Sequence, residues 1–336
     1  MDNKTERVVW IDWAKSICMF TVILGHCHIH MDYQFVTQFI YSFHMMFFFF
    51  LSGILCKRDI SFDSVKKDIN YLLLPYFTFG ILLIVFDSLR AGTFSLNLFL
   101  SKLYSLFLGD DPSIGPIWFL PALFICKQVF LIVMKSKQIS RWLYFAFVLM
   151  SFLPVIYISS YQLNMPFFSD SALCGFPFFV VGHESCSLCE YLKKIKWHIL
   201  LICSILLLVF SAFICRVNGF VCLADCVIGN SVFLYYINAL FVIASVCMLC
   251  LSIDKNNSFV LTTSYGSIFT LFFQCIPLTF FNYYLPIILG YPISSYSLFL
   301  AFLYSISTYF ICYFMIKYLD THFPKFFGLR GNLRKL

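Results

Sequence analysis

The sequence predicts an all-α polytopic membrane protein with about ten transmembrane helices and both termini in the cytoplasm. Three observations carry that prediction. The first is composition: of 336 residues, 61% are hydrophobic and 12% charged, with a mean hydropathy of +0.88, whereas a soluble domain carries about 25% charged residues. The second is the number of apolar runs that approach the roughly 20 residues needed to cross a bilayer core. So many runs cannot be buried in one soluble core of this size. The third is the placement of basic residues. Lys4 and Arg7 precede the first run, Lys57, Arg58, Lys66 and Lys67 follow the second, and Lys135, Lys137 and Arg141 follow the fourth. Lys193, Lys194 and Lys196 follow the sixth, Lys255 the eighth, and Lys317, Lys325, Arg330, Arg334 and Lys335 the tenth. The alternate loops hold only Arg90, Lys102 and Arg216. Lys and Arg mark cytoplasmic loops, so both chain ends belong there and the span count is even.

The expected spans are 10–30, 35–56, 69–90, 115–134, 142–160, 167–183, 197–215, 232–252, 260–289 and 294–318. The first reads WIDWAKSICMFTVILGHCHIH. Polar residues 1–9 precede it, acid and base lie inside it, and no small-residue cleavage site follows, so it is a retained span and not a signal peptide. The ninth carries Pro277 and Pro286 and is expected to kink or break. Residues 219–230 are apolar but short, as in a re-entrant or interfacial piece. Residues 319–336 form a basic tail suited to an anionic cytoplasmic surface. The whole chain, 1–336, reads as one integral-membrane domain without an evident internal repeat. Its 44 Phe and 20 Tyr suit interfacial aromatic belts. The net charge of +7 follows from the loop asymmetry and does not call for a nucleic-acid partner. The 15 Cys fall mostly in apolar runs, where Cys acts as a small hydrophobe. Cys186 and Cys189 follow His183 but lack a second ligand pair at zinc spacing, so no metal is expected.

The first span holds the candidate chemistry. At about 100° and 1.5 Å per residue, Lys15 and His26 lie within roughly 20° of one face and about 16 Å apart along the axis. Asp12, Lys15, Met19, Val22 and His26 form one stripe. Ionisable groups in a membrane helix are costly and usually face an interior or a water-filled cavity. The plainer alternative puts Asp12 and Lys15 at one membrane surface and His26, His28 and His30 at the other. The second span opens YSFHMMFFFFLSGIL and brings His44 near the same end as His26, either facing it across the hairpin or packing as an interfacial histidine.

These residues carry a resemblance. Arg7-x4-Asp12-x2-Lys15, the run to Gly25-His26, Phe43-His44-Met45 and Phe49-Phe50-Leu51-Ser52-Gly53 resemble the start of the acyltransferase 3 family, in its fucose 4-O-acetylase-like branch. Lys67 with Leu74-Pro75-Tyr76, the run Gly115 to Leu123, Met165-Pro166-Phe167, Phe178, Gly182, Gly229-Asn230, Tyr235-Tyr236, Ala239-Leu240 and Ser264-Tyr265-Gly266 continue it in order. Two positions depart: Met46 stands where the family often has Pro, and Gln274 where it often has His. The resemblance implies transfer of an acyl group, usually acetyl from acetyl-CoA, to a hydroxyl of a surface polysaccharide or lipid-linked glycan, with no tightly bound cofactor. It implies a bacterial inner (cytoplasmic) membrane. Histidine titrates near neutrality, so His26 would be the base, or a transient acyl carrier. Asp12 and Lys15 would hold ligand charge or pair with each other. Lys15, Arg58 and Lys67 would meet the CoA phosphates. His44, Trp118 and Asn230 would contact the acceptor, unless Trp118 belongs to the aromatic belt and Asn230 caps local backbone. The rival reading is a transporter or flippase with the stripe as a polar path. It is disfavoured because Asp87, Lys127 and Asp225 read as near span ends.

Overall fold

The computed structural model describes residues 8–27, 34–56, 62–90, 95–109, 115–161, 163, 165–253, 255–290 and 297–323. Lys4, Arg7, His28, His30, Lys57, Arg58 and the tail beyond residue 323 lie outside them. The α-helices run in order: α1 Val9–His26, α2 Gln34–Tyr41, α3 His44–Ile54, α4 Phe62–Asp68, α5 Leu74–Arg90 and α6 Leu96–Leu108. Then follow α7 Phe119–Ile139, α8 Arg141–Met150, α9 Leu153–Tyr161, α10 Ser169–Glu184, α11 Cys186–Leu192 and α12 Trp197–Asn218. The last are α13 Val232–Ile253, α14 Ser258–Tyr265, α15 Ser267–Phe273, α16 Cys275–Thr279, α17 Leu285–Leu289 and α18 Leu298–His322. Among the described residues there is no strand, and residues 219–230 form a compact turn closed by the isolated bridge Cys222–Val227.

Among the described residues, eight helical stretches are long and apolar enough to cross a membrane: Gln34–Ile54, Asp63–Arg90, Pro116–Ile139, Arg141–Tyr161, Trp197–Asn218, Val232–Ile253, Ser267–Leu289 and Leu298–His322. Pro166–Glu184, with Cys186–Leu192 after a break, makes a ninth if counted as one span. Helix α1, with 18 residues and about 27 Å of length, is not among them. The protein is a helical integral membrane protein, and the expected segments correspond to these elements.

The differences have physical causes. The second span is not one helix: a turn at Ser42–Phe43 separates α2 from α3. Helix α6 fell outside every expected span because 13 residues are too few to cross. It docks on α5, where the Tyr76 hydroxyl donates to the Leu106 carbonyl at 2.8 Å. The expected tail begins late, since residues 319–322 are the last turn of α18 and Asp320 is 3% exposed. Lys127 is not near a span end. It lies in the middle of α7 and pairs with the buried Asp68, whose other oxygen accepts from Gln128 Nε2 at 3.2 Å.

Prolines set the irregularities. A proline ring cannot donate and crowds the carbonyl four residues back. Pro75 follows a π turn at Ile69–Leu73, and Pro286 follows another at Phe280–Tyr284. Pro277 sits just after the break at Gln274. The ninth span is therefore a chain of short helices, as its sequence predicts.

The described chain packs as two compact units. In the first (Met1–His44, Ser187–Arg216, Ile237–Leu336), α1 is braced by α14, α15 and α18. Ser204 and Ser245 hydroxyls meet at 2.9 Å and tie α12 to α13. In the second (Met45–Cys186, Val217–Tyr236), α7 packs on α10. Helix α3 crosses α10 at two glycines with reciprocal contact. A Cβ on Gly53 would stand 2.0 Å from the Phe179 carbonyl oxygen, and one on Gly182 would stand 2.0 Å from that of Phe50. Small residues let membrane helices approach this closely. The Phe49–Gly53 and Gly182 motifs are thus parts of one helix crossing.

Candidate functional site

The histidine end of the first unit is built from α1, the α2–α3 turn and the π turn before α17. Gly25 lets α1 approach α2: a Cβ there would lie 3.1 Å from Ile40 and 3.2 Å from Tyr41. One residue on, His26 is half-buried. Its ring faces the edge of Tyr41 at 6.3 Å, and Tyr41 faces His44 at 5.1 Å. Tyr41 thus has a ring contact with each of the two imidazoles. The end of α1 is latched from the far side. Asn282 Nδ2 donates to the His26 carbonyl at 3.4 Å and Asn282 Oδ1 accepts from Cys27 Sγ at 3.4 Å.

His44 is 5% exposed, and its Nδ1 lies 2.7 Å from the Ile40 carbonyl. A carbonyl only accepts, so Nδ1 carries the hydrogen. In the neutral ring Nε2 is then the acceptor. The backbone of His44 is held too, its carbonyl accepting from Cys18 Sγ at 3.1 Å. Neither ring nitrogen of His26 is hydrogen-bonded among the described residues. The turn between α2 and α3 is closed by Ser42, which donates to the Phe39 carbonyl at 2.7 Å and accepts from Asn238 Nδ2 at 2.8 Å.

The other end of α1 is polar as well. Ser264 donates to Asp12 Oδ1 at 2.6 Å, and Trp13 Nε1 donates to the Lys255 carbonyl at 2.8 Å. Asp12 and Lys15 have further partners. One turn on, Ser16 Oγ lies 2.8 Å from Thr263 Oγ1 and 2.7 Å from Tyr309 Oη, and Tyr309 donates to the Ser16 carbonyl at 2.8 Å. A cavity of about 560 Å³ opens beside Asp12 and Trp13. Between the two ends the stripe is closed by Met19, 1% exposed, and Val22, 0% exposed. The stripe is thus two polar ends joined by an apolar waist.

The remaining expected site residues belong to the second unit. Trp118 is 6% exposed and packs edge-on to Phe119 at 6.2 Å and beside Phe168 at 6.1 Å. Asn230 is exposed, and its Nδ2 donates to the Val217 carbonyl at 3.1 Å. Gly229, with φ +80°, carries the turn to it, and a Cβ there would lie 2.4 Å from the Asn218 carbonyl oxygen. Lys67 is exposed on α4, and Arg58 lies outside the described residues. Tyr41, Asn238 and Asn282 were not among the expected site residues. Tyr41 is three residues before His44, a helical spacing, and Asn282 is a lone amide inside an apolar run. Among the described residues no group of three His, Cys, Asp or Glu side chains gathers for a metal.

The first unit thus holds a tautomer-fixed imidazole near a half-buried one at one end of α1, and a cavity of mixed polar and apolar lining at the other. Residues 8–258 match the acyltransferase 3 family model, described as an acyltransferase domain. The chain belongs to that family and is an integral-membrane acyltransferase. No curated protein and no solved structure matches it. The matched region ends at the first residue of α14.

Proposed function

We propose that this protein is an O-acyltransferase of the fucose 4-O-acetylase-like branch. It moves acetyl from acetyl-CoA to a hydroxyl of a cell-surface polysaccharide or lipid-linked glycan in a bacterial inner membrane. The observation that carries the reading is a half-buried His26 at the end of the first helix of an acyltransferase-family chain. His26 takes the proton of the acceptor hydroxyl as its oxygen attacks the thioester carbonyl. The resulting imidazolium returns the proton to the departing CoA sulfur, so ester and free thiol form together. His44 Nε2 receives a second acceptor hydroxyl. Asp12 and Lys15 serve the donor at the opposite end of α1.

The test supplies native membranes with labelled acetyl-CoA and assays extracted glycan for alkali-labile acetyl esters. Wild type acquires label, and normally inserted His26→Ala loses about 10²- to 10⁴-fold of the rate, the usual contribution of a general base. Equal labelling in both would remove His26 from the chemistry. A transporter reading keeps one observation, the Asp68–Lys127 pair in mid-helix. It predicts glycan-precursor movement into sealed vesicles without any acetyl donor.

A further inference from the structure

The cavity beside the first turn of α1 lies wholly within the first unit, between the starts of α1 and α14 and the end of α18. Two of its lining residues, Lys255 and Lys317, are exposed and ion-paired with nothing among the described residues. A third, Asp320, is 3% exposed, and its Oδ1 has no hydrogen-bond partner among the described residues. Trp13 and Tyr313 supply aromatic walls. A buried carboxylate oxygen without a donor is costly to leave so, and it suits a ligand that brings N–H or O–H groups.

We infer that this cavity binds the nucleotide end of the acyl-CoA donor, its 3′-phosphorylated adenosine diphosphate. This rests on the acyl-CoA reading above and adds the place and the residues. Lys255 and Lys317 meet the phosphates as charge-assisted donors. Asp320 accepts from the exocyclic amine of the base or a ribose hydroxyl. Trp13 or Tyr313 offers a ring face to the adenine, since every base has a π face that stacks on aromatic side chains. The opposite charges fit a ligand with both anionic and donor groups better than a bare cation, for which no group of three His, Cys, Asp or Glu side chains gathers among the described residues. Asp12 and His26 are fourteen residues apart on α1, about 21 Å along the axis. An extended phosphopantetheine arm matches that length, and its thioester reaches the histidine end by parting the packed waist at Met19 and Val22. The basic loop residues Arg58 and Lys67 are not needed for this contact.

The full-length protein, purified in detergent, is titrated with CoA, dephospho-CoA and adenosine 3′,5′-bisphosphate. The bisphosphate competes with CoA in wild type. The double variant Lys255→Ala/Lys317→Ala binds CoA about tenfold more weakly or worse, as lost charge-assisted contacts predict, and dephospho-CoA is weakened less. Asp320→Leu weakens all three ligands, whereas Asp320→Asn, which keeps an acceptor oxygen, retains them. Both lysines are exposed, so the double variant tests the cavity without a folding defect. Wild-type CoA affinity in the double variant, with label still transferred by wild type, would overturn the cavity assignment and leave the acyltransferase reading standing. A wild type that neither binds CoA nor transfers acetyl would overturn the donor reading and the cavity assignment with it.

Discussion

His26 and His44 are both imidazoles at one end of the first unit, but their surroundings give them different work. The His44 ring donates to the Ile40 carbonyl, at the point where α2 ends and the turn begins. It therefore satisfies a helix-terminal carbonyl as well as presenting Nε2. Removing it costs both the turn and the site. His26 makes no comparable tie through its ring. His44→Ala should thus lower stability by about 1 kcal/mol, the net worth of a hydrogen bond, along with activity. His26→Ala should lower activity alone. Thermal unfolding of both purified variants beside the acetyl-transfer assay separates the two. An equal loss of stability in His26→Ala would return that histidine to packing. That His26 and His44 share one end of the first unit, with Asp12 and Lys15 at the other end of α1, could be read in advance because the residues lie on one helix and the segment that follows it. Asn282 and Asn238 were not. They reach the same end from more than 190 residues away in the chain, a distance no local pattern spans.

At the scale of elements, two kinds of junction hold the helices, and they predict different costs. The first is hydrogen-bonded. Ser16, Thr263 and Tyr309 join α1 to α14 and α18 through one shared set of hydroxyls. Bonds of this kind between membrane helices average about 0.6 kcal/mol and reach about 1.7 kcal/mol. Tyr309→Phe removes two contacts while keeping the ring packed on Phe20 and Phe259. The expected loss is about 1 kcal/mol, read as a modest fall in unfolding temperature with the protein still inserted. The second junction is steric. At the α3–α10 crossing a side chain on Gly182 meets backbone, not a flexible group. Overpacking a core typically costs 1–3 kcal/mol, and backbone cannot step aside as a side chain can. Gly182→Leu should therefore lose about 3 kcal/mol or more, seen as little folded protein after detergent extraction. Survival at wild-type yield would show that α3 and α10 do not cross here. Glycines 53 and 182 were visible as motif residues, but their partnership was not, because glycine in a span signals close approach without naming the neighbour. The prolines were more explicit. Each π turn precedes Pro75 or Pro286 by a few residues, so the break in the ninth span could be placed in advance, though the π geometry could not.

The whole molecule poses a question of parity. Among the described residues eight helical stretches qualify as spans by length and apolarity, and the broken pair at 166–192 makes nine if counted as one span. Nine crossings would put the termini on opposite sides. The distribution of Lys and Arg asks for an even number. Helix α1 would decide between them, and it carries acid and base in its first two turns. Its 18 residues give about 27 Å, close to the roughly 30 Å of a hydrocarbon core. Asp12 and Lys15 lie at the end nearest the N-terminus, where they can reach an interface, and the waist at Met19 and Val22 is fully apolar and buried. We propose that a helix arranged in this way crosses the bilayer, with α14, α15 and α18 packed against it. Ten crossings would place the Asp12 cavity, the N-terminus and the end of α18 on the cytoplasmic side, from which the proposed acyl-CoA donor would arrive. The prediction is direct. Green fluorescent protein fused after Leu336 fluoresces, and alkaline phosphatase fused at the same point stays inactive. A cysteine-reactive, membrane-impermeant reagent applied from outside leaves a single Cys placed at Lys317 unlabelled until the membrane is opened. The reverse pattern at both positions would mean nine crossings with α1 as a surface helix. The donor cavity would then lie on the wrong face for CoA. Because one helix carries both the cavity and His26, this measurement tests the topology and the path of the acyl group together.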